Sequence, residues 1–419
     1  MESQNSQHFL DALKIKNVRF YIGSVGFFTL ASRALVVVIG FQVYKLTHST
    51  FAIGVLGLIE AIPVLSLVLF GGYVADHFNR KKILLRTGAL SCVCGILLAL
   101  ISWREHHPIS IFGLYAVVFI SGIARGFADP ASTAFEAQIV PKHLTVNGGS
   151  WISSTWISCS ILGPAAIGFI FDWGGAATSY LVITTCYIVS WVCTTLTLPE
   201  PQIIPKQTEP VLKSIGTGWN FVFHNQPLLG ALALDLFAVL FGGAMALLPV
   251  YANDILHVGA KGLGFLYAAP SIGALLITLL ATHKPPIAHA GRNLLVTVLG
   301  FGVSIFIFAF SKNFWLSMVA LFFSGVFDGI SVVIRRSMVR LLSPEHLRGR
   351  VAAASWIFIC ASNELGAFES GMLASLIGTV PCVAVGGVLT FVVVGLTALW
   401  MPQLRKLRFN PQTLEQEKI

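Results

Sequence analysis

Long apolar stretches alternate with short polar interruptions along this chain. A helix crosses a bilayer with about 20 mostly apolar residues. Runs that meet this test lie at 20–44, 51–75, 83–103, 110–138, 148–171 and 177–198, and again at 227–252, 261–282, 293–311, 314–341, 350–376 and 379–401. The pattern predicts an all-α integral membrane protein of twelve transmembrane helices. A polar segment at 1–19 precedes six spans at 20–198, and six more at 227–401 lead to a tail at 402–419. The intervening stretch, 199–226, opens with Pro199, Pro201, Pro205 and Pro210. It then sets Leu212, Ile215, Trp219, Val222 and Phe223 at roughly helical spacing, which predicts a linker with one amphipathic helix lying on the membrane face.

The two sets of spans repeat one another. A shift of 207 residues superposes Tyr44 on Tyr251, Gly57 on Gly264, Ala61 on Ala268 and Pro63 on Pro270. A shift of 203 superposes Gly122-x-x-Arg125-Gly126 on Gly325-x-x-Asp328-Gly329, Pro141-Lys142-His143-Leu144 on Pro344-Glu345-His346-Leu347, and Gly163 and Gly168 on Gly366 and Gly371. An ordered series of this kind, with one indel of four residues, is duplication. Two six-helix bundles in the same orientation form the parallel-repeat architecture of many secondary transporters.

Composition agrees: 55% of residues are hydrophobic and 11% charged, against roughly 25% charged in soluble domains. The formal charge of +9 would suit a nucleic-acid partner, but its placement argues against one. Lys45, Arg104, Lys261 and Lys312 occupy one set of loops, and Arg33 and Arg125 lie within spans. The rest of the 27 basic residues fall in the termini, the linker, the other loops and the span ends beside those loops, which predicts both termini in the cytoplasm. Glu2, His8 and Asp11 break up any cleavable signal pattern, so the first span is expected to stay as an anchor. The seven cysteines lie in apolar stretches without metal-ligand spacing, and no metal site is expected from them or from His106-His107.

After the second span comes Gly71-Gly72-Tyr73-Val74-Ala75-Asp76-His77-Phe78-Asn79-Arg80-Lys81-Lys82. This run resembles the signature loop of the major facilitator superfamily through Gly72, Ala75, Asp76, Arg80 and Lys81, with Val74, His77 and Asn79 departing from it. Gly122–Pro130, Gly218–Pro227, Gly264–Ala269 and Leu347–Val351 resemble the enterobactin-exporter and macrolide-efflux branch, and this similarity covers nearly the whole chain. Gly163-Pro164 with Gly168 resembles the antiporter motif of the fifth span, although Thr155 stands near the place of an expected upstream glycine. The resemblance implies a bacterial inner-membrane exporter driven by the proton gradient, with no cofactor. It also implies that Glu136 pairs with Arg80 as a latch on the cytoplasmic side.

Ionisable residues inside spans are functional candidates, because insertion costs at least ~2.5–3.5 kcal/mol each. The first half carries Arg33, Glu60, Arg125 and Asp129. Arg125 and Asp129 share a helix face at i, i+4, and Arg33 and Glu60 can balance each other. These four are candidates for substrate contact or gating. The second half carries Asp235, Asp328, Glu364 and Glu369, and Arg335, Arg336 and Arg340 are expected nearer the cytoplasmic end. The four acids thus read as unpaired. Burial disfavours a charged carboxyl, the property a proton carrier requires, so Asp328 and Glu364 lead as proton-coupling candidates. Permanent protonation and binding of a cationic substrate are alternative roles for the same acids.

Of the functions open to such a chain, proton-coupled export of a small organic molecule such as a siderophore fits best. Multidrug or macrolide efflux is the alternative, and import of a siderophore or metabolite is a third, since one fold serves both directions. An integral membrane enzyme would need a catalytic constellation, and no HxxxxD, GxSxG or metal cluster occurs. The expected partners are the substrate and the lipid bilayer, with the chain acting as a monomer.

Overall fold

The computed structural model describes residues 10–103, 111–198, 211–283 and 288–409. Arg104, His106-His107 and most of the proline-rich linker therefore lie outside the described residues. A short helix, α1 (Asp11–Lys14), leads into α2 (Lys16–Thr47), α3 (Thr50–His77), α4 (Arg80–Trp103), α5 (Ile111–Ile139) and α6 (Thr145–Leu196). The linker helix α7 (Val211–His224) precedes α8 (Gln226–Phe241), α9 (Leu248–Val250), α10 (Gly259–His283), α11 (Ala290–Phe310), α12 (Phe314–Leu342), α13 (Arg348–Ile377), α14 (Thr379–Trp400) and α15 (Pro402–Lys406). Among the described residues, eleven helical stretches are long and apolar enough to cross a membrane. Their outer faces carry large apolar side chains, with Phe112 78% and Leu399 72% exposed, as expected of surface meant for lipid rather than water.

The difference between eleven and the expected twelve resides in α6, which joins two spans. At Gly175 the backbone leaves the helix with φ 70° and ψ −169°, a conformation that a side chain would strain. The arms on either side return to the same place on α2. A Cβ at Gly26 would lie 3.5 Å from the Cys159 sulfur, and one at Gly23 would lie 3.4 Å from the Cys193 sulfur. Along a straight helix those two cysteines would be ~51 Å apart at 1.5 Å per residue. The chain therefore doubles back at Gly175, and twelve passes result. Gly378, with φ 92°, makes the equivalent break between α13 and α14, and the 203-residue register superposes the two glycines.

The chain divides into two compact units, Met1–Gln42 with Ile62–Lys206, and Val43–Ala61 with Gln207–Ile419. Inside each, the duplicated small residues let helices touch backbone to backbone. In the first unit α3 crosses α5 where a Cβ at Gly71 would collide with the Gly126 carbonyl, and in the second α10 crosses α12 where one at Gly325 would collide with the Pro270 carbonyl. Gly72 faces open space, so the glycine of the signature loop that permits close approach is Gly71. Likewise Gly163 of α6 abuts the Leu30 carbonyl of α2, as Gly366 of α13 abuts that of Leu240 of α8.

The seventh span is broken. α8 stops at Phe241 before Gly242-Gly243, and the run to Ile255 continues as a 3-10 turn, α9 and a π-helical turn at Tyr251–Ile255. Two successive glycines and Pro249, which lacks an amide hydrogen, weaken the regular ladder there. The linker helix α7 packs against the second set of spans. Trp219 lies 5.1 Å from Phe358 of α13 between ring centroids, and Val222 joins a buried cluster with Leu228, Leu232, Val351 and Ala354. α8 and α13 thus cover Trp219 and Val222, while Phe223 on the same helix is exposed.

Candidate functional site

A concentration of buried charge lies in the second unit, where α8 faces α12. Asp328, Ser331 and Arg335 fall on one face of α12 at steps of three and four residues, while Arg336 and Arg340 point to the exposed side. Arg335 is 7% exposed and forms an ion pair with Asp235 of α8, itself 9% exposed. The same guanidinium lies 3.7 Å from Asp328, whose carboxylate is 45% exposed. The expectation that these acids lack a basic partner at their depth is therefore wrong. Counting from the loop puts Arg335 towards a helix end, but its face of α12 turns inward and its long side chain carries the charge to the acids.

One guanidinium between two carboxylates neutralises only one of them. With both acids ionised the group carries a net negative charge, which is unfavourable in an apolar surrounding, and one proton makes it neutral. Two further polar atoms of this group, Nε of Arg335 and Oγ of Ser331, are buried with no hydrogen-bond partner among the described residues. The arrangement can therefore hold a proton and still offer polar atoms to a further group. It belongs to the second unit alone, since the duplicated registers place Phe28 and Ser132 where Asp235 and Arg335 stand.

The other second-half candidates stand apart on α13. Glu364 and Glu369 are half-buried, and Glu369 accepts a hydrogen bond of 3.4 Å from the Ser370 hydroxyl. In the first half, Arg33 of α2 lies over the ring of Trp156 at 5.3 Å, a cation–π contact. Arg125 and Asp129 are half-buried one turn apart on α5, and Glu60 is half-buried on α3.

The signature loop connects α3 to α4. Arg80 donates to the carbonyls of Ala75 at 3.1 Å and Ala134 at 3.1 Å, and its guanidinium lies 3.9 Å from Asp76. Lys81 donates to the Thr195 carbonyl at 2.8 Å. The basic cluster thus ties α3, α5 and α6 together by their ends. Arg80 reaches α5 at Ala134 rather than at Glu136, so the expected Arg80–Glu136 latch is absent among the described residues. The Ala75 and Ala134 carbonyls take up donors of the guanidinium, and Asp76 supplies the counter-charge. Gly163, Pro164 and Gly168 of the fifth-span motif are all buried in α6.

Two polar contacts were not foreseen from the sequence. Tyr44, near the end of α2, donates to Asp254 in the π-helical turn, and Asn253 donates to the same carboxylate at 2.6 Å. In the first unit Gln42 is fully buried, accepting from Tyr180 at 2.7 Å and donating to Ser102 at 2.8 Å. Gln42 and Tyr180 are polar residues inside apolar runs, the signal that would have found this pair. Tyr44 could have been singled out because it repeats as Tyr251.

The architecture has counterparts among solved structures. A POT family transporter in complex with 5-aminolevulinic acid superposes with a TM-score of 0.74 over 93% of this chain and 96% of its own, at 12% identity. A mutant of the nucleoside transporter NupG gives 0.70 over 92% and 99%, again at 12% identity. In sequence, the enterobactin exporter EntS of Shigella flexneri is 25% identical over 386 residues, 92% of each chain. The EntS of Escherichia coli O139:H28 is 24% identical over the same extent. The family description that matches residues 22–290 is that of the Major Facilitator Superfamily. Twelve passes, duplicated halves and that match together place the chain: it is a membrane transporter belonging to the Major Facilitator Superfamily.

Proposed function

We propose that the chain is a proton-coupled exporter of a small organic molecule of the siderophore kind, resident in a bacterial inner membrane with both termini in the cytoplasm. It works as a monomer by alternating access, with the proton gradient as its energy source and no cofactor. The observation that carries the coupling is the Asp235–Arg335–Asp328 group, in which one cation is shared by two acids. Asp235 is the fixed partner of Arg335, and Asp328, the more exposed acid, is the one that exchanges a proton. When Asp328 is protonated, Arg335 belongs to Asp235 alone. When the proton leaves, the guanidinium is drawn between α8 and α12, and their packing shifts. Glu364 and Glu369 are secondary carriers. Arg33, Glu60, Arg125 and Asp129 serve substrate contact or gating in the other half.

Export of a siderophore is supported by the relatives, which match 92% of this chain at about a quarter identity. Two measurements test the reading. In a deletion strain, loss of siderophore from the medium with unchanged drug tolerance supports it, whereas normal secretion with lost tolerance favours multidrug efflux. For coupling, Asp328→Asn and Glu364→Gln are compared in transport driven by a pH gradient. Full coupling in both variants defeats the assignment.

A further inference from the structure

Residues 401–409, which follow α14, are built into the fold. Leu404 of α15 is fully buried in a cluster with Ala231, Ala290 and Leu294. The Gly291 amide donates to the Leu407 carbonyl at 3.4 Å, and the Phe409 amide donates to that of Ala288 at 3.3 Å. A Cβ at Gly291 would collide with the Leu404 carbonyl. Residues 401–409 are thereby clamped against the first turn of α11.

This clamp borders an open hollow of about 380 Å³ lined by His289, Arg292, Arg405, Lys406, Leu407 and Arg408. At ~30 Å³ per water, it has room for roughly a dozen water volumes. Four basic side chains line it, no carboxylate does, and among the described residues none of the four forms an ion pair. A bias of loop charge towards the cytoplasm explains basic residues here, but not why the backbone holds four of them around one hollow against their repulsion. The hollow lies between the start of α11 and the segment that follows α14, and Leu399 and Trp400 at the end of α14 are exposed. Exposed tryptophan at a span end marks headgroup level.

We propose that this basin binds the phosphate of an anionic phospholipid headgroup, tying α11 to the end of the chain. Arginine offers paired donors to phosphate, and clustered basic residues beside a span attract anionic lipid at about 1 kcal/mol per charge.

The test follows thermal unfolding of the purified full chain in neutral detergent while phosphatidylglycerol, phosphatidylcholine or inorganic phosphate is added. Phosphatidylglycerol should raise the midpoint and phosphatidylcholine should not. The R292Q/R405Q/R408Q variant should require roughly 10- to 100-fold more phosphatidylglycerol for the same shift. Should that variant fail to fold, Arg408→Gln alone, on an exposed side chain, should show a smaller loss in the same direction. Neutralising Lys14, Lys16 and Arg19 to glutamine removes as much charge elsewhere and should leave the lipid response intact. An equal lipid response in wild type and R292Q/R405Q/R408Q overturns the proposal. So does a full shift with inorganic phosphate alone, which would make this a site for a free anion. A response confined to the E415Q/E417Q variant would also overturn it, because the basin would then belong to the chain's own acidic tail.

Discussion

Arg335 of α12 and Asp235 of α8 form an ion pair in which both side chains are less than a tenth exposed, and Asp328 competes for the same guanidinium. Removing only the base leaves buried negative charge without compensation. Arg335→Met should therefore destabilise the protein by about 3–5 kcal/mol, seen as a large drop in the unfolding midpoint in detergent. Combining it with Asp235→Leu should recover most of that loss. A double variant as unstable as the single one would show that the pair is not the cause.

The charge arithmetic makes a further prediction about Asp328. Asp328→Asn leaves one acid for one base, so stability should be unchanged or slightly improved while dependence of transport on the pH gradient is lost. Counterflow, the exchange of labelled for unlabelled substrate without a gradient, should continue. Loss of counterflow and coupling together would point to a substrate contact or a folding defect instead.

Backbone contact between α3 and α5 is the tightest packing of the signature loop region. Gly71→Val should prevent that approach and lower the yield of folded protein sharply, whereas Gly72→Val, in open space, should have little effect. Size-exclusion profiles of the two variants in detergent distinguish them. Similar profiles would argue against the Gly71–Gly126 contact.

Tyr44 donates to Asp254, and loss of the hydroxyl removes a hydrogen bond to a charged acceptor. Tyr44→Phe should cost about 1.5–3 kcal/mol, with Asp254→Asn showing a similar loss and the double variant little more than either. Additive losses in thermal unfolding would mean that the two side chains do not act through each other.

Most of the architecture was legible in the hydrophobic pattern. The ends of α3, α5, α11 and α12 fall within three residues of the apolar runs that forecast them. Repeated Gly and Pro positions reappear as equivalent crossings, because close approach leaves no alternative residue. What escaped the pattern depends on helix rotation and on contacts distant in sequence. Arg335 has the spacing that puts it beside Asp328, yet its loop-side position suggested solvent, and nothing local to α8 announces that Asp235 will meet it. The break of the seventh span at Gly242-Gly243 was hidden inside an uninterrupted apolar run. Arg80 found the Ala134 carbonyl instead of Glu136, a choice between neighbouring acceptors that a motif does not encode. Trp219 and Val222 have helical spacing, which could not say that α8 and α13 would cover these two side chains.

Gradient-driven movement of a siderophore through the protein itself unites the proposed coupling group with the proposed substrate. Purified chain in proteoliposomes, with an imposed pH gradient and a labelled catecholate siderophore, tests it most directly. Uphill accumulation against the proton flux is expected, abolished by a protonophore and absent in Asp328→Asn. Accumulation that ignores both the gradient and the variant, from protein that still transports, would contradict it.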